Sequence, residues 1–229
     1  LHCNMSCLRL AIGKQWEDLI TRCSQGGNNL LTELNEENNE EYTASLLASA
    51  CGALHALQAM AKVANSVVDQ KNERLESCLL VAARNGQLET VKWLLENGSS
   101  LNERDINGSN CLYIAAEHGQ LEVLKWLVQN GGNIHEKNAD KSTCILAAAF
   151  NGHLDVMEWL IDNGATYEDR DSNGSSCILK AAEGGNLEII EWLVSKGCKL
   201  SDENYDGTCV MVAARNGRTD VVQWMLANG

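Results

Sequence analysis

The chain has 229 residues, 45% apolar and 21% charged, an ordinary composition for a protein with a packed core. Its formal charge of −13 argues against nucleic acid or an anionic membrane as the default partner and favours a protein with a basic or neutral surface. No proline is present, and the opening residues lack a basic stretch followed by a long apolar one, so a signal peptide is not expected.

In chain order, a first apolar run, SCLRLAIGKQWEDLI (6–20), is separated from a second, TASLLASACGALHALQAMAKV (43–63), by the acidic insert NEENNEEY (35–42). The insert reads as an exposed loop. Residues 44–64 are rich in Ala and carry His55, Gln58 and Lys62. A membrane span is therefore not expected there, since one needs about 20 strongly apolar residues.

From residue 77 onward one phrase recurs, first as SCLLVAARNGQLETVKWLLENG. Cysteines at 78, 111, 144, 177 and 209 are separated by 33, 33, 33 and 32 residues. Tryptophans at 93, 126, 159, 192 and 224 and glycines at 86, 119, 152, 185 and 217 keep the same spacings. Three residue types in one register establish a repeat. The two earlier runs align as weaker copies, 43–63 without a gap on 77–97, and 6–20 with one deletion.

Each unit predicts two short helices and an extended hairpin. Ser77, Asn110, Thr143, Ser176 and Thr208 stand as N-caps before a short Ala-rich apolar run, which Asn-Gly, His-Gly or Gly-Gly then breaks. A second helix starts near Leu88, Leu121, Leu154, Leu187 and Thr219. An acid suited to the helix dipole comes next in each: Glu89, Glu122, Asp155, Glu188 and Asp220. Asn-Gly and Asp-Gly pairs in the polar connectors supply hairpin turns.

Turn, helix, helix at a period of 33 resembles the ankyrin repeat. The family's Thr-Pro-Leu-His-x-Ala signature appears as SCLLVA, NCLYIA, TCILAA, SCILKA and TCVMVA, with Cys in place of Pro and Leu, Tyr or Met in place of His. The resemblance implies an all-α ankyrin-repeat solenoid, in which stacked helix-turn-helix units are joined by β-hairpin loops. The expected divisions are 1–64, degenerate N-terminal repeats, and 65–229, five repeats (65–97, 98–130, 131–163, 164–196, 197–229). A small helical domain with its own activity is the other reading of 1–64.

The repeated cysteines, Cys7 included, invite a chemical reading that geometry opposes. Equivalent points in stacked helices lie about 8–10 Å apart, whereas a disulfide needs Cα atoms within roughly 7 Å. A zinc ion needs sulfurs at about 2.3 Å. They read instead as small buried apolar residues in a reducing, cytoplasmic compartment, although a helix N-terminus can also lower a thiol's pKa. Cys3, Cys23, Cys51 and Cys198 stand outside this register, and His2, Cys3 and Cys7 make too sparse a set for a metal site. His55, His118, His135 and His153 show no paired-ligand spacing, and no phosphate loop, nucleophile elbow or dinucleotide fingerprint occurs. No catalytic residue, cofactor, metal or small-molecule substrate is expected. The recurrent Trp, where the family usually has Leu, reads as packing between repeats.

The resemblance implies recognition of another protein through a concave face of inner helices and hairpin tips. The position after each Ala pair reads Arg84, Glu117, Phe150, Glu183 and Arg215, where the only phenylalanine in the chain breaks a charged series. Phe150 with Asn151, and His118 beside Glu117, are therefore partner-binding candidates, together with the tips Arg74, Ile106, Asn107, Asp140, Asn173, Tyr205 and Asp206. Lys180 replaces Val81, Ile114, Ala147 and Val212 and is expected to reach the groove edge or meet a carboxylate there. Asparaginyl hydroxylation, known of such hairpins, maps to Asn102, but Ser100 stands where an acid is usual.

The functional expectation is a non-catalytic protein-interaction scaffold. The alternative is a substrate-targeting module of a larger enzyme whose catalytic domain lies outside this chain; the expectation of a larger parent comes from the lack of a polar capping repeat at the end of the series. The proline-free, Asn-rich style would suit a protist, viral or intracellular-bacterial protein, including an effector secreted into a host cytosol.

Overall fold

The computed structural model describes residues 43–63 and 68–228. The readings made for 6–20, the insert 35–42, His2, Cys3, Cys7 and Cys23 lie outside these residues. By its contacts the chain divides into two compact units, Leu1–Ile106 and Asn107–Gly229.

The first unit holds α1 (Ala44–Cys51), α2 (Leu54–Val63), α3 (Cys78–Arg84) and α4 (Leu88–Glu96). The second holds α5 (Cys111–Glu117), α6 (Leu121–Gln129), α7 (Cys144–Asn151), α8 (Leu154–Asp162), α9 (Cys177–Gly184) and α10 (Leu187–Ser195). It ends with β1 (Glu203–Asn204), β2 (Gly207–Thr208), α11 (Cys209–Arg215) and α12 (Thr219–Asn228). The helices are paired as the repeat predicts. In the first unit α1 lies against α3, and in the second α5, α7, α9 and α11 pack in succession.

Inner helices of seven or eight residues are too short to hold by themselves in water. Stacking stabilises them. Residues from Cys78 to Ala83 and from Cys144 to Ala149 are all buried, and the Ala pairs let neighbouring backbones approach.

A cross-repeat hydrogen bond, not foreseen from the pattern, fixes that approach. The residue just after the conserved glycine reaches back to the end of the preceding inner helix. Gln87 Nε2 donates to the Ala50 carbonyl at 3.3 Å, Asn186 Nδ2 to those of Ala149 and Phe150 at 2.9 and 2.7 Å, and Arg218 Nε to that of Glu183 at 3.0 Å. His153 Nε2 stands 3.1 Å from the Glu117 carbonyl in the same way. The glycine is what leaves room: a Cβ on Gly152, whose φ is +84°, would sit 2.8 Å from Asn186 Oδ1.

The expected caps divide. Ser77 and Asn110 accept from the amides of Leu80 and Tyr113, at 3.4 and 2.8 Å. Thr143, Ser176 and Thr208 make no side-chain cap bond. Ser176 instead donates to the carboxylate of Asp202, 26 residues on. Ser77 to Glu103, and Asn110 Nδ2 to Glu136 at 2.8 Å, repeat that link to the next repeat. At Ser176 the tertiary bond stands in place of the local cap, whereas Ser77 and Asn110 make both.

The hairpins also differ from expectation. Among the described residues the named strands are β1 and β2, which pair antiparallel, and Lys71 with Ser77 forms an isolated bridge. Elsewhere a single Asx side chain folds the connector. Asn138 Oδ1 accepts from the amides of Asp140 and Ser142, and Asp171 Oδ1 from those of Asn173 and Ser175. Backbone bonds then link tip to tip, Ser172 N to Asp140 O at 2.7 Å and Tyr205 N to Asn173 O at 3.3 Å.

Candidate docking groove

The Asx turns and the stacked inner helices of the second unit enclose a groove of about 410 Å³. The helices contribute Tyr113, Glu117, Phe150, Asn151, Lys180 and Glu183, while the connectors contribute Asn138, Asp140, Ser142, Asp171 and Asn173. Six residues expected to face a partner therefore share one concavity: Glu117, Asp140, Phe150, Asn151, Asn173 and Glu183.

Phe150 sits in the last turn of α7, before the left-handed Gly152, and is 38% exposed. Its carbonyl is held by Asn186, and a Cβ on Gly184 would lie 2.0 Å from it, so the α9 backbone lies hard against this turn. Lys180 Nζ lies 5.9 Å from the ring centroid, within cation–π range. That ammonium is 3.0 Å from Asp171 Oδ2 and 3.0 Å from Glu183 Oε2. Burial opposes the Lys180 charge, but the two carboxylates outweigh it and hold the ammonium above its ordinary pKa. Lys180, expected to reach the groove edge or meet a carboxylate, meets two.

Other candidates are placed elsewhere. Arg215 pairs with Asp206, which also accepts from Asn173 Nδ2 at 2.6 Å, and Tyr205 beside them is 86% exposed. His118 is exposed, its Nδ1 3.0 Å from the Ile114 carbonyl of its own helix. Asn107 is exposed, and its carbonyl accepts from Ala139 N. In the first unit Ile106 is 63% exposed, Arg74 is exposed, and Arg84 is ion-paired with the buried Glu76. Asn102 is exposed on its connector.

Tyr113, Asn138, Ser142 and Asp171 line the groove without having been foreseen from the sequence. Tyr113 carried a readable signal, since it breaks the series Leu80, Leu146, Leu179, Met211. Asp171 carried none. It looks like a solvated connector acid, yet its carboxylate is 6% exposed under Lys180.

Cys78, Cys111, Cys144, Cys177 and Cys209 are buried. Burial pushes the thiols of Cys144 and Cys209 up to about 12, and those of Cys78 and Cys177 upward too, so desolvation outweighs any help from a helix N-terminus. Among the described residues no group of three His, Cys, Asp or Glu could hold a metal ion. No described helix is long and apolar enough to cross a membrane.

The family described as Ankyrin repeats (3 copies) matches residues 8–105, 79–171 and 144–229. No curated protein matches the chain.

Proposed function

Because the chain belongs to the ankyrin-repeat family, whose repeats are in general protein–protein interaction modules, we propose that it recognises a protein partner through the groove centred on Phe150. The division into degenerate repeats over 1–64 and five repeats over 65–229 is part of the same reading. The observation that carries the proposal is Phe150, a half-exposed aromatic ring within a concave polar surface. Rigid aromatic side chains in such settings are the usual interface anchors. The hairpin tips Asn173, Tyr205 and Asp206 extend the contact surface along the connectors.

Capture of partners by the immobilised protein and by its Phe150→Ala variant, read by mass spectrometry, tests this. The expected result is loss of the captured protein with an unchanged melting temperature, since the ring is only partly buried. Equal capture by both, or a large fall in melting temperature with capture retained, would rule out Phe150 as the anchor.

A further inference from the structure

The groove selects by charge. Glu117, Asp140, Asp171 and Glu183 bring four carboxylates to its lining against the single ammonium of Lys180, in a chain of net charge −13. Its largest exposed apolar element is one aromatic ring, whose face already holds a cation at 5.9 Å. That cation is itself held by two of the lining carboxylates, Asp171 and Glu183, so the groove already sets an aromatic face and acids around one positive group.

We propose, building on the docking reading above, that the groove takes an arginine side chain of the partner. The guanidinium would lie against the exposed part of the Phe150 ring and fork onto the carboxylates. Arginine suits the site better than lysine because its planar guanidinium stacks on a ring while donating in two directions at once, and it is less strongly hydrated than an ammonium. Lys180 already pairs with Asp171 and Glu183. The exposed lip carries Asp140, and a charge-assisted, bidentate contact there supplies both energy and orientation. An acidic anchor would meet like charge, and a purely aliphatic one would cover the Asp140 carboxylate without offering it a donor, which is costly.

The probe is the peptide acetyl-Gly-Arg-Gly-amide, compared with its citrulline and lysine counterparts, with chemical shifts of the labelled protein as the readout. The arginine peptide is expected to shift resonances of Tyr113, Asp140, Phe150 and Asn173 in a saturable way. Citrulline, isosteric but neutral, should bind about tenfold more weakly or worse. Asp140→Asn and Phe150→Ala should each weaken the arginine peptide several-fold while leaving the melting temperature in place.

Shifts scattered over the acidic surface would overturn the proposal, as would equal binding of the citrulline peptide, indifference to both substitutions, or saturation of the same resonances by calcium chloride alone. The two readings fail separately. Partner capture that depends on Phe150, with no groove shift from the arginine peptide, would overturn the arginine and leave the docking face standing. Loss of both would overturn both.

Discussion

At the scale of single residues, the environment of a side chain decides whether it is chemistry or scaffold. Cys78, Cys111, Cys144, Cys177 and Cys209 have the same place after the cap and the same fate: all are buried. Cys51 and Cys198 are half-buried. Among the described cysteines, alkylation with iodoacetamide under native conditions, read site by site from peptide masses, should therefore modify Cys51 and Cys198 first and the five buried ones only on unfolding. Fast labelling of three or more of the five would show that the inner helices open. Phe150 and Lys180, which the sequence marked as departures from their own repeat positions, meet in the structure. Asp171 could not be marked this way, because its burial depends on a lysine nine residues later on the next helix.

Among the elements, each repeat is tied to the one before it by polar side chains placed at fixed offsets. The asparagines illustrate why the chain is rich in them. Asn97, Asn130, Asn163 and Asn228 each donate 2.8 Å to the carbonyl of the Trp four residues earlier, and Asn85, Asn151 and Asn216 serve the inner helices in the same way. These bonds satisfy carbonyls that a helix end otherwise leaves to water. What reads as compositional style is thus helix termination. The caps allow a sharper test. Ser77 caps Leu80 and also bonds Glu103, whereas the buried Thr143 Oγ1 has no hydrogen-bond partner. Ser77→Ala should cost about 1–2 kcal/mol. Thr143→Val keeps the shape and removes an unsatisfied hydroxyl, so it should stay within about 1 kcal/mol of the parent, on the stabilising side. Urea denaturation distinguishes the two, and a loss in Thr143→Val equal to that in Ser77→Ala would show that Thr143 caps after all.

On the scale of the whole molecule, stability is a sum over repeats and the links between them, and some of those links titrate. Burial opposes the charge on Asp202, but the Ser176 hydroxyl and the Arg170 guanidinium outweigh it and hold the carboxyl below its ordinary 3.8. A carboxyl lowered on folding stabilises the protein above its unfolded value, and that contribution is lost as the pH falls through the lower folded value. Asp202→Asn should thus be less stable than the parent at pH 6, with the gap closing below 3.8; a gap of constant size in denaturation curves down to acid pH would show that the charge plays no part. The period, the paired helices, the burial of the repeat cysteines and the Phe150 anomaly were all legible in the sequence, because a repeat states its own register and so exposes its exceptions. The clamps from Gln87, His153, Asn186 and Arg218 and the burial of Asp171 under Lys180 were decided by tertiary structure alone. Each depends on where a polar side chain falls against a neighbouring element, and a linear pattern carries the period of that element but not the direction in which its side chains point.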